Sequence, residues 1–215
     1  MGRLRNHLLA MLLLAGAAGS LAAQEIVDRI VVRIENDVIL QSDVGALKRY
    51  QLFVDGKSES DDAILDRLID QWIVRTEAQV SSFPPPAEVE IQESLERLRK
   101  SFTSTEEYET RKKQHGLDDG DLRDMASFEL YLSNYLDSRF RPAVRIEPKA
   151  IEEFYQNAVV SRAKARGEEP PSLEAARDQI QEALMQQGIN EQASQWLKES
   201  RARLHIEKVL DEAAK

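Results

Sequence analysis

The chain has no cysteine, so it can form no disulfide, thiolate nucleophile, thiolate metal ligand or thioether lipid anchor. Histidine is nearly as scarce, with His7, His115 and His205 the complete set. A serine hydrolase needs a base within hydrogen-bond reach of its nucleophile. His115 falls in a predicted turn and His205 on a predicted solvent-facing strand, and neither belongs to a nucleophile-elbow pattern. Zinc asks for three or four ligands, which two distant histidines do not supply. Carboxylates are plentiful, but Asp118-Asp119 with Asp121, and Glu168-Glu169, read as solvated loops with nothing to fix a catalytic separation. A glycine-rich phosphate loop is missing too. The residues therefore assign no catalytic group, cofactor or metal. Aromatics make up 6% of the chain, too few for an aromatic-packed β-sandwich, and 9 glycines with 7 prolines exclude a collagen-like or low-complexity chain. Basic residues are outnumbered 29 to 38, a net charge of −9, which repels phosphate backbones and anionic headgroups and makes nucleic acid a poor partner.

Long hydrophobic runs are also few, and the one present sits at the start. Arg3 and Arg5 precede an uncharged apolar stretch from Leu8 to Leu21, closed by small residues. That is the pattern of a secretory signal peptide over residues 1–23, cut near Ala22 or Ala23. The stretch is short for a bilayer core of ~30 Å, so no stable membrane insertion is expected. The remainder should be exported and soluble, and a disulfide-free acidic chain suits the periplasm.

With 42% apolar residues the remainder can bury a core. Residues 25–40 read as a β-hairpin, in which Ile30, Val32 and Ile34 alternate with Val31, Arg33 and Glu35. Asn36-Asp37 forms the turn and Val38-Ile39-Leu40 the return strand. Ser42 or Asp43 can cap a helix running to about Phe53. Over 61–79, Ile64, Leu65, Leu68, Ile69, Trp72 and Ile73 lay an apolar stripe along a helix. Pro84-Pro85-Pro86 stops it and starts another at Ala87. Ser104 or Thr105 caps a short helix that His115-Gly116 closes.

The helix predicted over 121–141 has an apolar arc spanning half its surface, formed by Leu122, Met125, Phe128, Tyr131, Leu132, Tyr135, Leu136 and Phe140. So wide an arc meets two things, either two helices or one helix and a client. Residues 161–171 read as a polar surface linker. A helix capped by Ser172 should end at Gly188, and a last one should start at Asn190. Beyond Arg201 the pattern turns to period two at Leu204, Ile206 and Leu210, a C-terminal strand able to complete the N-terminal hairpin.

The stretches Ile26-Val-Asp-Arg-Ile30 and Asn36-Asp-Val-Ile-Leu-Gln-Ser-Asp43 resemble the opening of SurA-type periplasmic chaperones. Leu65-Asp-Arg-Leu-Ile-Asp70 resembles the family's L-x-x-L-I-x helix. Pro86 to Arg99 and Thr105 to Arg123 are similar to its paired helices. Ile189 to Ala202 resembles its final helix, with Ile206-Glu-Lys-Val-Leu210 as closing strand. The resemblance implies a mostly α, multi-helix core module with a small antiparallel sheet formed by the N-terminal hairpin and the C-terminal strand. It divides the chain into a signal peptide (1–23), an N-terminal chaperone region (24–155), a linker (156–172) and C-terminal helices with a strand (173–215). The family's parvulin isomerase domain does not fit in the 17 residues of that linker.

What the resemblance implies for function is a non-enzymatic chaperone for unfolded outer-membrane proteins or peptides, with the outer-membrane assembly machinery as a possible further partner. An adaptor subunit for one folded envelope protein is the alternative, and a prolyl isomerase is a third. Client-facing candidates are Phe102, Tyr108, Phe128, Tyr131 and Tyr135, since aromatics offer flat apolar area and tyrosine a hydroxyl that can stay wet. Burying ~400 Å² of apolar surface at ~25 cal/mol/Å² would give about 10 kcal/mol gross. Losses of motion and order leave roughly micromolar affinity, which suits a carrier that must release without ATP. Trp72 and Trp196 lie in mid-stripe and read as core.

Overall fold

The structure, a computed structural model, describes residues 28–209. The segment 1–23 read as a signal peptide, with its expected cleavage site, and Ile26 and Leu210 lie outside them. The fold is mostly α with a small antiparallel sheet. Strands β1 (Ile30–Ile34) and β2 (Asp37–Leu40) form the N-terminal hairpin, and β3 (Ile206–Lys208) lies on the other side of β1, giving the order β2-β1-β3. The two ends of the described segment thus close one sheet. Val32, Arg33 and Ile34 face Lys208, Glu207 and Ile206, and Val209 N–H donates to the Val31 carbonyl at 2.9 Å.

The hairpin turn falls one residue earlier than the sequence implies. Glu35 and Asn36 form it, Glu35 takes the positive φ (51°), and Asp37 is already paired with Ile34. Contact with β3 holds Glu35 there. Its N–H donates to the His205 carbonyl at 3.0 Å, and its carboxylate accepts from His205 N–H at 2.7 Å. Strict alternation along β1 also fails. An irregularity between Ile30 and Val32 lets Val31 and Val32 both turn inward, the signature of a bulge.

Helix α1 (Gln41–Asp55) follows β2 directly. Its start is secured by Asp43, which reaches back to accept from Leu40 N–H at 2.8 Å, whereas the Ser42 N–H donates to Asp28. Helix α2 (Asp61–Val80) carries the expected stripe: Ile64, Ile69, Trp72 and Ile73 are buried against the sheet, α1 and the last helix. The proline run ends it, and α3 (Glu88–Lys100) starts where Glu90 accepts from Ala87 N–H. Helix α4 (Thr105–Gln114) is capped by Ser104 and closed by Gly116 at φ 63°. Helix α5 (Asp119–Phe140) opens with a reciprocal Asp118–Asp121 cap and packs on α2 and α3.

Two expectations in the C-terminal third need correcting. The segment 156–172 is not a linker throughout. After α6 (Pro148–Phe154) the chain continues as a π-helical turn (Tyr155–Val160) and α7 (Ser161–Ala165), leaving only 166–172 irregular. Residues 149–166 contain no Gly or Pro, so nothing stops the helix before Gly167, at φ 69°. Nor does Gly188 break the last helix, for α8 runs unbroken from Leu173 to Arg201. A Cβ at Gly188 would lie 2.5 Å from Val144 Cγ1, so this glycine serves a close crossing rather than a stop.

Among the described residues the buried side chains gather in four clusters. The sheet packs on α1, α2 and the end of α8. Phe53, Tyr108, Leu117 and Leu122 gather α1, α4 and α5. Val74, Ala78, Leu132 and Tyr135 join α2 to α5, and Ile151, Ala176 and Ile180 join α6 to α8. Trp72 is buried in the first cluster, and Trp196 packs between the first and third.

Candidate functional site

Two depressions meet between the hairpin, α2 and α5. The inner one, of about 260 Å³, lies between Val38 of β2, Ala46 of α1, Leu68 of α2 and Met125 of α5. The outer one, of about 400 Å³, runs on between Phe83, Pro85 and Tyr131. Arg75 and Phe128 border both, so the two form one trough from the open edge of the sheet to the proline run. Val80, the last residue of α2, and Val89, in the first turn of α3, are 80% and 62% exposed. An unbroken α2 and α5 supply the walls, and the rigid Pro84-Pro85-Pro86 segment holds the outer lip.

The inner lip is a strand edge. Val31 and Glu35 bond towards β3, so Val32 and Ile34 bond towards β2, where their partners are Ile39 and Asp37. Val38, opposite Arg33, consequently turns its N–H and C=O away from β1. Its side chain is 42% exposed at the mouth of the inner depression.

Of the five sequence-derived candidates, the trough collects two. Phe128 stands at its junction and Tyr131 lines its outer half, both half-buried. Tyr108 is 1% exposed, with its ring edge-on to Phe53 and Phe102 at 5.5 and 5.3 Å, so it cannot meet a client. Phe102 stacks on Phe53 at 5.0 Å, under the Arg111 guanidinium, and belongs to the same core cluster. Tyr135, 5% exposed, packs on Phe83 at 5.5 Å, and its hydroxyl accepts from Arg139 at 2.9 Å. The physical reason is common to all three: each faces another aromatic, and such pairs fill the space a client would use. The wide arc of α5 divides accordingly, most of it turned to α2, α3 and α8 and the strip at Met125, Phe128 and Tyr131 left facing the trough.

The sequence reading passed over Leu68, Arg75, Phe83, Pro85 and Glu129. Glu129 left a signal. At about 100° per residue it falls between Leu136 and Leu122, inside the apolar half of α5. The others are ordinary stripe or surface residues whose role depends on which helix lies opposite.

The polar groups of the trough are unevenly satisfied. Trp72 Nε1–H donates to Asp37 at 2.9 Å, and Asp43 is engaged by Leu40 N–H. Glu129 accepts from the Tyr50 hydroxyl at 3.3 Å. Burial pushes its carboxyl above the usual range, against the pull of the Tyr50 hydrogen bond and the Arg67 charge. The Tyr50 phenol is pushed up by the same burial and by Glu129 itself. Arg67 is held elsewhere, donating to both oxygens of Glu59 at 2.9 and 2.5 Å, which with Gln51 keeps the Glu59 carboxyl at about 2. Arg75 has no hydrogen-bond or ion-pair partner among the described residues. The trough thus combines apolar walls, an open strand edge and a few under-engaged charges. Among the described residues no group of three or more His, Asp or Glu side chains is arranged to hold a metal ion, and no helix is long and apolar enough to cross a membrane. No protein-family model matches the chain, and a search of curated proteins finds no significant relative.

Proposed function

We propose that the protein is an envelope chaperone of the SurA kind, without an isomerase domain, that holds extended polypeptide segments in the trough between β2, α2 and α5. The observation that carries this reading is the continuity of the two depressions through Phe128 and Arg75, ending at an unpaired strand edge. An extended segment laid along it can pair its main chain with Val38 and send alternate side chains towards Leu68, Met125 and Phe128. Main-chain pairing is indifferent to sequence, and methionine adapts to varied shapes. Both properties fit unfolded outer-membrane proteins as clients. The signal-peptide pattern supports the periplasm as the place of action, and the apolar walls beside an open strand edge support binding of an extended chain.

The test is suppression of aggregation of a urea-denatured β-barrel protein diluted into buffer at near-stoichiometric ratios. The protein should keep it soluble, and Phe128→Ala should weaken the effect while remaining folded. Unchanged aggregation with the intact protein removes this reading. Capture of a single folded envelope protein, with no affinity for unfolded chains, would replace it by the adaptor reading.

A further inference from the structure

We infer that the trough selects extended segments carrying a cationic side chain among apolar ones, the cation seated against Glu129. This deepens the polypeptide-binding reading and rests on it.

Glu129 is a carboxylate within the apolar half of α5, at the wall of the inner depression. The groups facing it are few. From α1 come Tyr50, a neutral donor at 3.3 Å, and Asp43, whose carboxylate is already engaged by Leu40 N–H. From α2 come Arg67, clamped by both oxygens of Glu59, and Arg75, which makes no ion pair among the described residues. Asp124, on the same helix, adds a further negative charge in the outer depression. The charged lining of the whole trough is therefore Asp43, Asp124 and Glu129 against Arg75. That sign matches the chain as a whole, at −9. A carboxylate set in the wall of an apolar depression and short of a counter-charge gains from an incoming cation more than one surrounded by water alone. The surroundings also suit a long cationic side chain. A lysine or arginine can lay its methylenes on Leu68 and Met125 and bring its head to Glu129. Burial makes the Glu129 carboxyl hold its proton more tightly than usual, as a carboxylate lacking such a partner should.

The test uses the full chain and three fluorescent decapeptides of one apolar sequence, with Lys, Gln or Glu at the centre, read by anisotropy. The Lys peptide should bind about fivefold tighter than the Gln peptide, and the Glu peptide weaker than either. Glu129→Gln should abolish the Lys-over-Gln preference, with an unlowered melting temperature showing that the variant is folded. Lowering the pH should erase the same preference in the parent protein, since protonated Glu129 offers no charge, and should leave the Gln peptide's affinity flat. Equal affinities for the three peptides, or a preference for Glu that assigns selection to Arg75, would overturn the inference while leaving the polypeptide reading in place. If none of the peptides binds, the polypeptide reading fails and this inference fails with it.

Discussion

Tyr108 and Phe128 are both aromatic, both on the inner face of a helix, and opposite in their prospects. Tyr108 is enclosed by Phe53 and Phe102, with the Arg99 guanidinium and the Lys112 ammonium over its ring. Its truncation to Ala leaves a cavity that close-packed rings cannot refill, and should cost about 3–5 kcal/mol in urea unfolding. Phe128 has one face on the α2–α5 cluster and the other on the trough. Phe128→Ala should cost about half as much stability yet weaken peptide binding roughly tenfold, because the lost contact lies on the client side. A reversed pair of results would move the site to the α4–α5 cluster. Helical spacing shows that both rings face inward, and it carries no information on what lies opposite. Phe83, which covers Tyr135, and Phe53, which covers Tyr108, come from elements distant in sequence. For that reason the sequence reading put all five aromatics in one client-facing set, whereas the structure sets Phe128 and Tyr131 on the trough and Tyr108, Tyr135 and Phe102 against other aromatics. Glu129 was more readable, as a charge inside an apolar arc is an exception that asks for a reason.

Among the elements, α8 shows how local signals yield to packing. A glycine at 188 and a cap-like Asn190 predict a break, but the helix passes through because Val144 occupies the space beside the glycine. Gly188→Ala should therefore destabilise the protein by about 1–3 kcal/mol, even though alanine is the better helix former by ~1 kcal/mol. The double variant with Val144→Ala should recover most of the loss in urea unfolding, and simple additivity would refute the steric account. The same helix is fixed by charge at its far end. Arg201 donates to Asp70 at 2.7 Å, to Asp66 at 3.1 Å and to the Asp66 carbonyl, and Lys208 adds a 3.0 Å bond to Asp66. Burial would raise the Asp66 carboxyl, but these hydrogen bonds and charges outweigh it and hold it below the usual range. A carboxylate depressed in the fold contributes stability above its unfolded pKa of about 3.9, and that contribution is lost as pH falls through the lower folded value. Acid unfolding should accordingly begin below about pH 4, and Asp66→Asn should flatten that drop while lowering stability at pH 7. An unchanged acid limb in Asp66→Asn would show that other carboxylates govern it. Caps at Ser104 and Ser172 were legible because each uses a neighbour three residues on, whereas the Asp118 cap lies in a stretch that the sequence reading gave to a solvated loop. The extension of helix through 155–165 was not, since a polar composition was taken for a linker where no breaking residue occurs.

Across the whole molecule, the decisive contact joins residues 170 positions apart, Glu35 and His205. Its approximate location was readable, since Leu204 and Ile206 switch the pattern to period two after a long helix and the hairpin lacks a third strand. The register was not, because it depends on a bulge at Val31 that alternation cannot show. Closing so long a loop costs entropy that only the finished sheet returns, so β3 should dock late and stabilise cooperatively. Val32 and Ile34 are fully buried partly because Ile206 and Leu204 pack against their cluster. Ile206→Asp places a charge at that seam. Hydrogen exchange should then rise at the amides of β1 and β2 and of the last turns of α8. Amides around Ile151 and Ile180, in a cluster of their own, should exchange as before. Peptide binding should fall in step with exchange in β2, because Val38 offers its main chain to a client only while β1 holds the strand in place. Intact protection in β1 and β2, or intact peptide binding once that protection is lost, would show that the trough does not depend on the meeting of head and tail.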